Sequence, residues 1–112
     1  VTVEQCLEKA LAGPCKPTAI FCTVDMYALK VMRKLFQMGY RVPEDISLIG
    51  IDDVALSQLI FPGLTTMNVD RDAMIREGLQ MLSKLLQGQK CESRRLPTPE
   101  LILRQTTCPP KK

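Results

Sequence analysis

The apolar positions of this chain switch between two periods, and the switches mark out its elements. From Val3 to Leu11, apolar residues fall at Val3, Cys6, Leu7, Ala10 and Leu11. That is the three-and-four spacing of an amphipathic helix, ended by Gly13-Pro14. Thr18 to Val24 is a short, nearly continuous apolar run, the pattern of a strand buried on both faces. Asp25 then opens a helix to about Met38, closed by Gly39. Ala28, Val31, Met32 and Leu35 form its core stripe. Leu29, Phe36 and Tyr40 fall roughly a quarter turn away at 100° per residue. This second stripe predicts packing against something beyond the main sheet.

Pro43-Glu44-Asp45 is a turn, and Ile46 to Ile51 reads as a second strand ending in Asp52-Asp53. Val54 to Phe61 is a mixed connection with room for a short helix, stopped by Pro62-Gly63. Leu64 to Val69 reads as a third strand. Asp70 or Asp72 opens a long helix to about Gln87, with a core face of Met74, Ile75, Gly78, Met81, Leu82 and Leu85. Gln89 to Pro99 is a polar loop, and Glu100 to Thr106 a last strand. Residues 1–107 form one unit and 108–112 a tail. The order α-β-α-β-β-α-β predicts an α/β fold, with a mainly parallel sheet flanked by helices.

Composition narrows the function more than the fold. With 112 residues, 46% hydrophobic and 24% charged, the chain has the make-up of a soluble globular domain. Aromatics are 4%, with no Trp, so the core must be built from Leu, Ile, Val and Met. The net charge of +3 is mild, and the basic residues form no cluster beyond pairs such as Arg94-Arg95 and the terminal Lys111-Lys112. A DNA-binding surface carries a denser basic patch, so none is expected in this chain. The five cysteines (6, 15, 22, 91 and 108) are odd in number, widely spaced and form no CxxC. With no histidine, a mixed Cys/His zinc site is excluded. Reduced thiols, no membrane span and no signal-peptide pattern predict a cytoplasmic protein. The chain begins in helix-like sequence without Met, which reads as a piece of something longer.

In open α/β sheets, ligands collect at the carboxyl ends of the strands. Two such ends carry acids: Asp25 after the first strand, and Asp52-Asp53 after the second. A carboxylate suits the hydroxyls of a sugar or the N–H groups of a base. Asp25 is read first as a helix cap and second as a ligand contact, Asp53 as a turn residue, and Asp52 as the leading contact. Catalysis finds little support: there is no His, no Gly-x-Ser-x-Gly elbow, no phosphate loop and no dinucleotide glycine fingerprint. The expectation is a non-enzyme with no cofactor and no metal.

Four strings then carry a resemblance. They are Pro17-Thr-Ala-Ile-Phe-Cys-Thr-Val-Asp-Met-Tyr-Ala-Leu29, Met38-Gly-Tyr-Arg-Val-Pro-Glu-Asp-Ile-Ser-Leu-Ile-Gly-Ile-Asp-Asp53, Phe61-Pro-Gly-Leu-Thr-Thr66 and Leu103-Arg-Gln-Thr-Thr107. In this order and spacing, the chain resembles the last third of the effector-binding core of the lac/gal repressor family. That family joins an N-terminal helix-turn-helix to a two-lobed core like a periplasmic sugar-binding protein of type I. The resemblance implies a sensor that binds a sugar or related small effector, and thereby alters the operator affinity of the whole repressor. It places Asp52 against the effector, with Val24 and Asp25 lining the cleft. It turns Leu29, Phe36, Leu56, Leu59 and Phe61 toward a second subunit in a homodimer. It assigns residues 64–88 to the opposite lobe, so this piece alone should expose apolar surface and either self-associate or repack with its own sheet. Operator DNA would be met only through the missing N-terminal domain.

The chain departs from the family in carrying Val24 where an Asn usually bonds a ligand hydroxyl, and in having Val69 and Ile75 in place of the usual Gln and small residue. The alternatives are the C-terminal part of a secreted sugar-binding transport protein, and a small enzyme using an acid pair or Mg²⁺. The cysteines and the Leu-Thr-Thr string favour the regulator.

Overall fold

The computed structural model describes residues 1–111, and its elements follow the predicted order with one addition. Helix α1 (Val3–Ala12) starts on a reciprocal cap: the Gln5 N–H donates to Thr2 Oγ1, and the Thr2 N–H to Gln5 Oε1. Strand β1 is Ala19–Phe21, helix α2 Asp25–Gln37, strand β2 Ser47–Ile51 and strand β3 Thr65–Asn68. Between β2 and β3 lies the added five-residue helix α3, Ala55–Leu59. Helix α4 (Arg71–Leu86) and strand β4 (Glu100–Ile102) complete the set.

The sheet order is β1-β2-β3-β4. The first two pairings are parallel and the last antiparallel, so the sheet is mainly parallel as predicted. Strand β4 stops early because side chains take over its hydrogen bonds. Thr106 Oγ1 accepts from the Thr65 N–H and donates to the Leu48 carbonyl, while Thr65 Oγ1 accepts from the Arg104 N–H. The predicted tail is docked rather than loose: Ser47 Oγ donates to the Cys108 carbonyl and accepts from the Cys108 N–H, and Lys111 pairs with Asp45. Lys112, the end of that tail, lies outside the described residues.

The core sits on one face of the sheet. Leu7 and Leu11 of α1 pack with Ala28, Val31, Met32 and Leu35 of α2 over Leu48 of β2, as the three-and-four spacing requires. Strand β2 alternates half-buried and buried, so only its α2 side is covered. Strand β1 does not bear out the reading of a strand buried on both faces: Phe21 is 58% exposed, and among the described residues no strand pairs with the outer edge of β1.

The predicted core face of α4 also finds no core. No residue of α4 is buried, and Met74, Ile75, Leu82 and Leu85 all lie exposed. The helix stands away from the body: the radius of gyration is 18.1 Å, against about 13 Å for a compact chain of this length. Strand β3 is different. It pairs with β2 inside the sheet, so of residues 64–88 only the helix stands apart from this lobe.

Candidate functional site

The carboxyl ends of the parallel strands β1, β2 and β3 lie along one edge, and three acids gather there. The structure gives each a different fate. Asp25 is not the cap of α2. Val24 holds that position, makes no side-chain cap bond, and is half-buried; Asp25 is the first helical residue and is fully buried. Its carboxylate turns into the body, where Oδ1 accepts from Thr66 Oγ1 at 2.5 Å. Oδ2 accepts from Ser57 Oγ at 2.6 Å and from the Val54 N–H at 3.0 Å. A buried carboxylate requires such donors, and the short O–H···O distances are those of charge-assisted bonds. With no exposed surface and its oxygens occupied, Asp25 is a structural hub and cannot line a cleft as a ligand contact.

Asp53 is likewise spent on structure. Its carboxylate accepts from Arg104 Nη2 at 2.5 Å and from Asn68 Nδ2 at 2.9 Å, with both partners of the ion pair largely shielded. The Arg104 guanidinium, and after it the Asn68 amide, hold the Asp53 carboxyl below its ordinary value. Arg104 also donates to the Leu64 carbonyl, clamping the start of β3.

Asp52 alone keeps its carboxylate free of hydrogen bonds among the described residues, and it is only half-buried. Its backbone is held instead: the Asp52 N–H donates to the Met67 carbonyl at 2.9 Å, and Arg71 Nη2 donates to the Asp52 carbonyl at 2.7 Å. The φ angles of Asp52 and Asp53 are 117° and 49°. Both lie in the left-handed region that favours glycine, and such strain persists where the surroundings over-determine it.

The predicted subunit-facing residues are largely brought together. Leu29, Phe36, Leu56 and Phe61, with Met32 and Ile60, line an apolar groove of about 410 Å³ between α2 and α3. Leu59 does not line it but stands beside it, 78% exposed, and Phe61 is 85% exposed. A polar recess of about 430 Å³, lined among others by Asn68, Asp70, Arg71 and Glu100, adjoins the Asp52 turn through Arg71. The partners that give the acids their roles were not singled out by sequence: Ser57, Thr66, Asn68, Arg71 and Arg104. The only local signal lay in Thr66 and Arg104, which belong to the strings that carry the resemblance. Among the described residues no group of three or more His, Cys, Asp or Glu is placed to hold a metal ion. No helix among them is long and apolar enough to cross a membrane.

Comparison with known proteins places this geometry. The family model of the periplasmic binding protein-like domain matches residues 2–107. The transcriptional repressor CytR of Escherichia coli K12 is 38% identical over 105 residues, covering 93% of this chain and 31% of the repressor. The probable repressor ExuR of Bacillus subtilis is 38% identical over 92 residues, covering 82% of the chain and 28% of ExuR. The chain thus spans about a third or less of the curated relatives it matches.

Among solved structures, a LacI family transcriptional regulator from Bifidobacterium animalis matches with a TM-score of 0.86 and 29% identity, covering 97% of this chain and 40% of that one. A LacI family regulator from Enterococcus faecium, solved with bound ribose, matches at a TM-score of 0.81 and 28% identity, covering 97% and 40%. The dimeric Lac repressor matches at 0.77 and 33%, covering 97% and 39%.

Proposed function

Since this chain belongs to the periplasmic binding protein-like domain family, in the branch that forms the effector-binding core of LacI-type regulators, we propose that it is one wall of the effector cleft of a cytoplasmic, DNA-binding transcription regulator. Asp52 is the residue that touches the effector, a sugar or related small molecule. One observation carries this reading. Of three acids at the carboxyl edge, Asp25 and Asp53 are engaged by protein donors on both oxygens, and Asp52 is left with a free carboxylate on a strained, firmly held backbone. A site residue that must meet a ligand keeps its bonding capacity open and its position fixed. The ribose bound to the Enterococcus faecium regulator makes a pentose a reasonable first probe.

In this reading α4 crosses to a second lobe, which accounts for a 16-residue helix with no buried residue. The groove between α2 and α3 faces a second copy, in line with the dimeric Lac repressor. Operator DNA is bound by a part of the regulator outside this chain, whose mild charge supplies no basic patch. Val24 lies at the cleft margin and offers no polar group, so the contact there is apolar.

The test is a thermal-shift screen of pentoses, hexoses, nucleosides and nucleobases on the full-length protein and on its Asp52→Asn variant. A ligand at 100 times its Kd should stabilise the wild type by about 2.7 kcal/mol. The variant should unfold like the ligand-free wild type and lose that shift. A ligand that stabilises both proteins equally would remove Asp52 from the site.

A further inference from the structure

The buried Asp25 has no place in the effector contact, yet the amides that follow Asp52 lead back to it. Two successive amides of that turn end on its carboxylate. The Val54 N–H reaches Oδ2 directly; the Asp53 N–H reaches Thr66 Oγ1 at 3.4 Å, and the same hydroxyl donates to Oδ1. On the other side of the turn, Gly50 lies against Asp25 so closely that a Cβ there would overlap Oδ1 and sit 3.2 Å from the Asp25 Cα. The turn is therefore gripped before and after Asp52 by one side chain. That grip accounts for two consecutive non-glycine residues remaining at positive φ.

The same carboxylate holds α3. Ser57 Oγ donates to Oδ2, the Ser57 N–H returns to the Val54 carbonyl, and the Ser57 carbonyl receives the Leu64 N–H. Ser57 is fully buried, and its helix carries Leu56 and Leu59 at the edge of the apolar groove. Asp25 itself sits at the start of α2, the helix that supplies Leu29 and Phe36 to the other side of that groove.

We propose that Asp25 is a positioning residue that binds the Asp52 turn and helix α3 into one unit, so that a shift of the turn at the effector contact moves the subunit-facing helix with it. The proposal rests on the reading of Asp52 as the effector contact for the meaning of that shift, but not for its test. A turn displaced by as little as the length of one hydrogen bond must either break from Asp25 or carry Thr66 and Ser57 along. Bistable packing of this kind turns small displacements into discrete ones.

The experiment is amide hydrogen exchange on the full-length protein without ligand, together with its dimer dissociation constant. Thr66→Val should speed exchange at Asp53 several-fold and leave the Leu48 amide unchanged; Thr66→Ser, which keeps the hydroxyl, should restore the wild-type rate. Ser57→Ala should speed exchange at Ile60, whose N–H closes α3 onto Leu56, and weaken self-association about tenfold. Asp25→Asn should show both effects at once. Wild-type exchange at Asp53 and Ile60 in Thr66→Val, Ser57→Ala and Asp25→Asn would overturn the proposal, as would failure of Thr66→Ser to restore the rate. If Asp25→Asn does not fold, the Thr66 and Ser57 variants decide the matter. A ligand screen in which nothing binds would instead sink the effector reading and leave the exchange result standing.

Discussion

Gly50→Ala is the sharpest test of the packing beneath the Asp52 turn. Gly50 lies in mid-strand, paired with Thr66, and is absent from the glycines with positive φ. There an Ala would ordinarily gain about 0.5–1 kcal/mol over Gly. Here the added methyl overlaps Asp25 Oδ1 and lies 3.2 Å from the Asp25 Cα and 3.3 Å from its Cγ. The carboxylate can move only by abandoning the Val54 N–H and the Ser57 and Thr66 hydroxyls, and residues 25, 57 and 66 are all fully buried. Each buried group left unsatisfied costs about 1–3 kcal/mol. The crowding of the Asp25 main chain demands a backbone shift worth another ~1–3 kcal/mol. The net loss should be about 3 kcal/mol or more, a large share of a usual ~5–15 kcal/mol stability.

A double-mutant cycle separates this cause from general strain. Asp25→Ala alone should also cost about 3 kcal/mol by stranding the same donors. In that background the methyl at position 50 has no carboxylate to meet and only the crowding of the residue 25 main chain is left, so its cost should fall by the carboxylate's share, a coupling of about 2 kcal/mol. Denaturant unfolding of wild type, both single variants and the double variant measures it. A Gly50→Ala protein within about 1 kcal/mol of wild type would refute the reasoning, as would a penalty of the same size in both backgrounds.

Other outcomes follow from neighbouring groups. The Asp53 carboxyl is held below its ordinary value by Arg104 and Asn68, so its contribution is present in full above the unfolded carboxylate range. It is lost as pH falls below about 4 and through the folded value. Melting temperatures between pH 3 and pH 7 should therefore drop less steeply on the acid side in Asp53→Asn, and parallel curves for the two proteins would sink the assignment. Asp52→Gly relieves a φ of 117°, a strain of about 1–3 kcal/mol against an entropic cost of ~0.5–1 kcal/mol. Stability should hold or rise while ligand response disappears, and a clear fall in melting temperature would contradict the strain. Leu59→Glu with Phe61→Ser removes two exposed side chains whose burial is worth roughly 1.5–3 kcal/mol each. Both copies carry the change, so four such side chains are lost per dimer, which should weaken by at least about 10⁴-fold in sedimentation, and an unchanged dimer would move the interface elsewhere. The isolated 112-residue chain, which exposes the α4 leucines, should self-associate; a monodisperse monomer in light scattering with weak binding of an apolar dye would say otherwise.

The elements were legible because their apolar periods are local properties. Ala28, Val31, Met32 and Leu35 fall on one side of a helix whatever the helix meets, and they are buried here. What periodicity cannot supply is the partner. Met74, Ile75, Leu82 and Leu85 make as clear a stripe as the one on α2, yet nothing among the described residues covers it. Phe21 and Ile20 likewise form a buried-strand pattern on a strand with an open edge and an uncovered face. In each case the pattern records a burial that these residues require and the chain does not itself provide. In the proposed reading, a second lobe and a second copy supply that burial.

The site was legible at lower resolution, and the reason is physical. Position at a strand end selects the crevice but cannot rank the acids in it, because a carboxylate's fate depends on the donors that reach it. Those donors come from far along the chain. The register that sets Gly50 opposite Thr66 carries the Thr66 hydroxyl to Asp25, 41 residues away. The return of the chain after β4 carries Arg104 to Asp53, 51 residues away. Neither meeting is encoded in a spacing of three, four or two. Asp52 is then defined by exclusion: it is the acid that no donor from the rest of the sheet has claimed. The proposal that Asp52 meets the ligand thus rests less on what it touches than on how its two neighbours are already engaged.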